Sequence, residues 1–213
     1  MSGNVIKNGM RRRYPGRMQQ PPDGPRYWDP VPHIAAVFDS LPQRQLRPAP
    51  EYVFCGKWEE RNWRNVPGPF YGGMTDTCWV GRQNAPRHIL YCDDDEFGGE
   101  FLYRQPHTVD ELRAVLAGMR DDPWSGWACD GDAQWRPDLV RAWWRDRGRL
   151  REWILRKQKE WGSEGLPTDE HEGAGLTDYL AYLDSELARD LRCYMYFLEN
   201  GRGPIGDERL PSL

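Results

Sequence analysis

The chain has 213 residues, enough for one domain of ordinary size, and its large apolar side chains are mostly aromatic, with 11 Trp, 10 Tyr and 6 Phe. Its net charge is −4, but residues 1–30 hold six Lys/Arg against two Asp/Glu, which leaves −8 on the rest of the chain. Since a body of that charge repels phosphate backbones, duplex nucleic acid is disfavoured as a partner of the domain itself.

Residues 1–48 are rich in proline and arginine, and we predict that they form a disordered basic arm. Proline removes backbone donors, and the segment offers little apolar surface to a core. A short helix fits residues 34–38, because Pro32 precedes it and Pro42 would stop it. Nucleic acid is expected to bind only through this arm, at Arg11, Arg12, Arg13 and Arg17.

Short runs of β-branched and aromatic residues predict a small antiparallel β-meander. The runs are residues 52–55, 77–80, 88–91 and 100–103, separated by Gly, Pro and Asp clusters. Residues 62–73 contain too much Pro and Gly for regular structure, yet they include Trp63, Phe70 and Tyr71. We therefore expect an ordered, partly buried loop there.

Three helices are predicted after the strands. The first begins at a capping box of Thr108 and Glu111. The second opens at Pro137 and continues to about residue 161, with Gly148 as a point of bending or division. The third has a leucine-rich face over residues 176–198 and is closed at Gly201.

This order of elements predicts the fold class and the domain limits. Helices that follow a block of strands indicate α+β rather than alternating α/β. We predict one domain over residues 49–201, followed by a loose tail over residues 202–213.

Cysteine and histidine spacing predicts neither a metal site nor a cofactor. The five cysteines are widely spread and no C-x-x-C occurs, so free thiols are favoured. His88 and Cys92 would lie on one face of a strand about 13 Å apart, too far to share an ion. The acidic run 93–96 reads as a solvated turn, because Phe97 and Arg104 occupy positions where an EF-hand needs oxygen ligands.

The sequence also lacks an assembled catalytic set. There is no G-x-S-x-G elbow and no phosphate-binding glycine motif. His88 beside Cys78 or Cys92 would be the remaining nucleophile and base, but a packed core cysteine is the commoner outcome. Neither the presence nor the absence of catalysis follows from these residues.

Residues 58–82 carry the strongest candidate binding site. Guanidinium and amide groups beside aromatic rings suit a carboxylate, a phosphate or a flat ring. The alternative is a loop in which the same Asn and Arg side chains satisfy the irregular backbone. The candidate ligand-binding residues are Arg61, Asn62, Trp63, Arg64, Asn65, Tyr71, Asp76, Trp79 and Arg82.

The second predicted helix carries a basic face. It could bind an anion, although a solvated face opposite the tryptophans is the simpler interpretation. Its members are Arg141, Arg145, Arg149, Arg156 and Lys157.

The motif NWRNVPGPFYG occupies residues 62–72. The segments TDTCW, APRHI and YRQP follow it at residues 75–79, 85–89 and 103–106. Through these segments the chain resembles, over about residues 51–200, a group of uncharacterised actinobacterial proteins, some of which are labelled ferredoxin. The resemblance implies an actinobacterial protein of the cytoplasm and no particular activity or site residue. The cysteines lack the spacing of an iron–sulfur protein and do not support that label.

Two functions remain open on the sequence. A cytoplasmic interaction module, immunity-like or regulatory, fits an acidic, aromatic-rich body, and its protein partner would have a basic surface. The alternative is a small-molecule binder or transferase-like enzyme that uses residues 58–82. Without an apolar run of about 18 residues or a secretory leader, we expect no membrane association.

Overall fold

The computed structural model describes residues 27–42, 49–75, 80–92, 99–163 and 170–213. The predicted α+β class is confirmed, because helices are combined with small antiparallel sheets. The arginines at 11–17, Cys78 and the acidic run 93–96 lie outside the described residues. No helix within the described ranges is long and apolar enough to cross a membrane.

The strands form two separate pairs rather than one meander. They are β1 (Tyr71–Gly72), β2 (Ile89–Cys92), β3 (Gly99–Leu102) and β4 (Trp127–Ala128). Strand β2 pairs with β3, as the runs at 88–91 and 100–103 predicted, and β1 pairs with β4. The strand expected at 52–55 is wrong, because it starts in the 3-10 turn Pro50–Tyr52 and forms only one bridge, from Phe54 to Gly126.

The helices are α1 (Ile34–Asp39), α2 (Val80–Asn84), α3 (Val109–Asp121), α4 (Gly131–Gln134), α5 (Pro137–Arg145), α6 (Arg147–Ser163), α7 (Glu170–Asp184) and α8 (Leu187–Asn200). The capping box of α3 is confirmed, since the Glu111 backbone N–H donates to Thr108 Oγ1 at 3.2 Å. Val80 begins a helix, not the end of a strand, and the rest of the run at 77–80 is not described.

Two of the predicted helices are each divided. The second breaks at Asp146 rather than Gly148, because Asp146 has ψ near 4° and leaves helical geometry. The third breaks at Ser185–Glu186, where Ser185 Oγ donates to the Ala181 carbonyl at 2.6 Å. A hydroxyl bonded back to the preceding turn bends a helix, and this bond was not readable from the leucine pattern.

The β2–β3 hairpin separates two hydrophobic cores. Leu90 and the opposing Phe101 face a core built with α5–α8, which is rich in Trp and Tyr. Ile89 and the opposing Leu102 face a second core with α1 and α3, which is mainly aliphatic. Both faces of the hairpin are thus covered, as the alternation of side chains in strands allows.

The domain begins earlier than residue 49, so the predicted limit of the arm is wrong. The helix expected at 34–38 is present as α1, and it packs against α3. Ile34, Val37 and Phe38 are buried in the aliphatic core, since their spacing gives the short helix one apolar face. Tyr27 also packs on Tyr194 and Phe197 of α8.

The C-terminal residues are attached to the domain, contrary to the predicted loose tail. Arg192 Nε donates to the Pro211 carbonyl and Arg141 Nε to the Ser212 carbonyl, both at 2.8 Å. Leu213 packs against the aromatic core. Guanidinium groups on α5 and α8 therefore hold a segment that has no regular structure of its own.

Candidate functional site

The amide of Asn65 fastens the candidate loop to its neighbours. Its Oδ1 accepts the backbone N–H groups of Gly72 and Leu102, both at 2.9 Å. Its Nδ2 donates to the carbonyls of Asn62 at 2.6 Å and Gly72 at 2.7 Å. Both donors and both acceptor positions of this buried amide are occupied, so Asn65 has a structural role in joining the loop to β1 and β3.

Asn62 and Arg64 also turn towards the protein. Asn62 Oδ1 accepts the Arg64 backbone N–H at 3.0 Å and Arg64 Nη1 at 3.3 Å. The buried Arg64 guanidinium lies between the rings of Trp63 and Trp153, with ring-centre distances of 4.4 and 4.6 Å. The polar side chains of Asn62, Arg64 and Asn65 therefore bond within the protein, which is the alternative to a ligand site that the sequence left open.

Arg82 lies apart from the loop, in α2, and its side chain bonds to the segment that joins α2 to β2. Its Nη1 donates to the carbonyls of Pro86 and Ile89, both at 3.0 Å. The buried Glu100 carboxylate accepts the Gly81 and Arg82 backbone N–H groups, both at 2.9 Å. Asp76 and Trp79, the other candidates from this stretch, lie outside the described residues.

Arg61 and Tyr71 are joined through Trp58. The Arg61 guanidinium stacks on Trp58 at 3.8 Å, and burial lowers its pKa. Tyr71 meets the edge of the same indole and donates its hydroxyl to Asp130 Oδ1 at 2.8 Å. Burial, aided by Asp130, raises the pKa of Tyr71. The hydroxyl is therefore a neutral donor rather than a nucleophile.

A cleft of about 250 Å³ opens between this loop and the helices α5 and α6. Four of the predicted residues line it: Arg61, Asn62, Trp63 and Asn65. Trp135, Trp143, Asp146 and Arg147 complete the polar and aromatic wall. We call this depression the Trp143 cleft.

The tryptophans of the Trp143 cleft are held in place by specific contacts. Trp143 Nε1 donates to the Trp63 carbonyl at 3.0 Å. Trp135 meets the edge of Trp58, with ring centres 5.0 Å apart. Arg149 lies over Trp63 at 3.9 Å. The wall is therefore formed before any ligand arrives.

The helices beside the cleft are basic. Residues 136–160 hold nine Lys/Arg and four Asp/Glu, a net charge of +5. The basic face of the second predicted helix is only partly solvated. Arg145 and Arg149 are exposed, but Lys157 is buried and pairs with Glu160 at 3.0 Å. A small anion near α5 and α6 meets a favourable field although the chain as a whole is acidic.

A second notable region is the turn that follows α3. Asp122 Oδ1 accepts the Trp124 backbone N–H at 3.1 Å, and Oδ2 accepts that of Gly126 at 2.7 Å. Ser125 has φ of 54°, the one positive φ outside glycine among the described residues. The Trp124 side chain on this fixed turn is 74% exposed.

Two further exposed apolar residues border the same turn. Ser125 Oγ donates to the Tyr52 carbonyl at 2.8 Å. Gly126 pairs with Phe54 on one side, and its carbonyl accepts the Gly73 N–H at 2.8 Å on the other. We call Tyr52, Met74 and Trp124 together the Trp124 surface; the side chains of Tyr52 and Met74 are also exposed.

The histidines that sequence analysis considered do not form a catalytic or metal site with the cysteines. His88 Nδ1 lies 2.9 Å from the Arg104 carbonyl, and burial lowers the His88 pKa to about 4. Cys92 Sγ instead donates to the Gly99 carbonyl. Within the described residues there is no group of three His, Cys, Asp or Glu side chains that could hold a metal ion.

A histidine, a carboxylate and a thiol do meet elsewhere. His107 Nε2 lies 3.6 Å from Asp190 Oδ2, and Cys193 lines the same cavity. That cavity has a volume of about 20 Å³. This is room for one water molecule and not for a substrate, so the cluster has a structural role.

Sequence reasoning missed the opposite wall of the cleft and the Trp124 turn. Trp135, Trp143 and Arg147 are about 70 to 85 residues from Arg61 and Trp63 along the chain, so no local spacing relates them. The run Asp122-Pro123-Trp124-Ser125-Gly126 does contain a readable turn signal around a tryptophan.

Neither a protein-family model, nor a curated protein, nor a solved structure matches this chain.

Proposed function

We propose that the protein is a protein-interaction module that docks its partner through the Trp124 surface. The observation that carries the proposal is the exposed side chain of Trp124 on a fixed turn. In that turn the Asp122 carboxylate accepts the backbone N–H groups of Trp124 and Gly126. An indole contributes much apolar contact area, and tryptophan is enriched among the residues that dominate binding energy.

The rigidity of the turn supports this role. A non-glycine residue at positive φ carries strain, and such residues concentrate at functional sites. Because the backbone of Trp124 is already ordered, little conformational entropy is lost when a partner covers the ring. A turn that binds no partner would have no comparable reason to fix the backbone of an exposed tryptophan.

The charge distribution supports a partner with a basic surface. Outside residues 1–30 and 136–160, the chain holds 27 Asp/Glu against 14 Lys/Arg. Glu51 is adjacent to Tyr52 and is exposed, whereas Asp121, which precedes the turn, is mostly buried and pairs with Arg120. A basic protein would be steered towards this part of the body and repelled by the helices α5 and α6.

The experiment is quantitative capture of partners from a native lysate by the full chain, the W124A variant and a matched L155A variant. Leu155 on α6 is 48% exposed and lies outside the Trp124 surface, so L155A controls for loss of exposed apolar area. We expect W124A to weaken binding of a stoichiometric basic partner by about 2 kcal/mol, roughly 30-fold, and L155A to leave it unchanged. Equal capture by W124A and the parent chain, or capture of no stoichiometric partner, would contradict the proposal.

A further inference from the structure

The Trp143 cleft has the chemistry of a second, independent site. We propose that it binds a small ligand that combines a flat aromatic ring with one anionic group, in the size range of an aromatic carboxylate or a mononucleotide. This site does not depend on the Trp124 surface, whose residues do not line the cleft.

The volume of the cleft limits the ligand. At about 250 Å³ it is smaller than the roughly 300–1,000 Å³ of pockets for drug-sized molecules. One or two fused rings with a short acidic substituent suit this space. A dinucleotide or a peptide would extend onto the surface of α5 and α6.

The aromatic wall selects a flat ring. Trp63, Trp135 and Trp143 all line the cleft, and the bond from Trp143 Nε1 to the Trp63 carbonyl joins two of them. Stacking of a planar ligand on an indole needs no particular sequence of donors and acceptors on the ligand. Since the indoles are held in place, binding requires little side-chain ordering.

The cationic groups select a negative charge. Arg61 and Arg147 line the cleft, whereas the one carboxylate there, Asp146, lies 3.9 Å from Arg149 Nη1. Arg61 is half-buried on Trp58, so an anion beside it is less screened than at an open surface. Arginine also suits carboxylate and phosphate because its planar group can donate two parallel hydrogen bonds.

The test is isothermal titration of the full chain with four probes. Indole-3-acetate and adenosine monophosphate are aromatic anions of the two kinds, adenosine is the neutral ring and inorganic phosphate is the anion alone. We expect at least one aromatic anion to bind about tenfold or more tightly than adenosine and phosphate. If neither aromatic anion binds, or if adenosine or phosphate binds as tightly as both, the proposed ligand class is wrong.

Variants then locate the bound ligand. W135F replaces the indole in the cleft wall with a smaller ring and reduces the stacking area, so we expect affinity to fall about fivefold. W143A removes a wall of the cleft and should reduce affinity about tenfold or more, while L155A, at an exposed position of α6 that does not line the cleft, is the control. R147M tests the anion contact on an exposed side chain and leaves the core intact.

The outcomes separate this site from the proposed docking surface. W124A should bind the aromatic anion as the parent chain does. Unchanged affinity in both W135F and R147M would place the ligand elsewhere and overturn the assignment. If W143A fails to fold, the W135F and R147M titrations still decide between these results.

Discussion

The Trp143 cleft and the Trp124 surface both depend on tryptophan, but the first encloses its rings and the second displays one. In the cleft, side chains hold the indoles: Trp143 donates to a carbonyl, Trp135 meets Trp58 edge-on, and Arg149 covers Trp63. At the Trp124 surface only the backbone is fixed, through the Asp122 carboxylate. The same residue type therefore suits a small flat ligand in one place and a protein partner in the other.

The electrostatic settings of the two regions also differ. The cleft adjoins residues 136–160, with a net charge of +5, whereas the exposed Glu51 lies next to Tyr52 of the Trp124 surface. Anions and basic proteins are thus directed to different parts of one small domain. If the two regions are separate, a change at one should leave binding at the other intact.

The largest effect is expected at Asn65, which lines the Trp143 cleft and bonds to Gly72, two residues before Met74 of the Trp124 surface. Asn65→Ala would leave the Gly72 and Leu102 N–H groups and the Asn62 and Gly72 carbonyls without this partner. We expect a loss of about 4 kcal/mol or more in the free energy of unfolding, measured by urea denaturation. Asn84→Ala, which removes an exposed amide bonded to the Val80 carbonyl, should change stability by less than about 0.5 kcal/mol. A similar small effect at Asn65 would show that its bonds do not hold the loop.

A smaller and more local effect is expected at Gly126. A Cβ there would lie 2.1 Å from the Met74 carbonyl oxygen, so Gly126→Ala must displace the backbone beside the Trp124 surface. We expect a loss of about 3 kcal/mol in stability, with ligand affinity of the Trp143 cleft retained in the folded fraction. Gly148→Ala is the control, because nothing lies within 4 Å of its added Cβ and a helical alanine should stabilise the chain by as much as about 1 kcal/mol. Loss of cleft binding in G126A would mean that the two regions are coupled.

Two buried groups, Asp132 and His88, should change the stability of the fold in opposite directions as the pH is lowered. Burial raises the pKa of Asp132 from 3.8 to about 6. Between these pH values the carboxyl is protonated in the folded state and ionised in the unfolded state, so the free energy of unfolding falls as the pH rises from 3.8 to 6. Burial lowers the pKa of His88 from 6.5 to about 4, so stability instead falls as pH decreases from 6.5 to 4. Each effect is about 3 kcal/mol at most, and the two oppose one another.

The variant D132N separates these contributions. It removes the charge that is buried near Tyr194 and should raise stability at pH 7 by about 1–2 kcal/mol. With the opposing slope gone, D132N should lose stability more steeply than the parent chain between pH 6 and pH 4, as followed by thermal unfolding. Parallel pH profiles for the two chains would show that Asp132 is not perturbed in the folded state.

The sequence predicted those elements whose residues carry a local period. The apolar face and capping box of α3 and the paired runs of β2 and β3 were read correctly. Strands β1 and β4 have two residues each, and so short a segment contains no period to detect. The division of α7 from α8 depends on a side-chain bond at Ser185, and the placement of α1 depends on tertiary burial.

The candidate site was predicted only in part, because the local sequence does not show which side chains face the cleft. Arg61 and Trp63 reach the cleft, but Arg64 is stacked between two indoles and Arg82 serves a different turn. A stretch of Asn and Arg beside aromatics indicates a polar, packed loop, and it does not reveal which side chains face outward. The opposite wall comes from α5 and α6, and only the tertiary fold brings it to the loop.

The most direct test of the central claim compares partner binding by W124A and W143A under identical conditions, with folding of both chains verified by circular dichroism. We predict that W124A loses the captured partner while W143A retains it. Loss of the partner from W143A with retention by W124A would contradict the assignment of the Trp124 surface as the docking site.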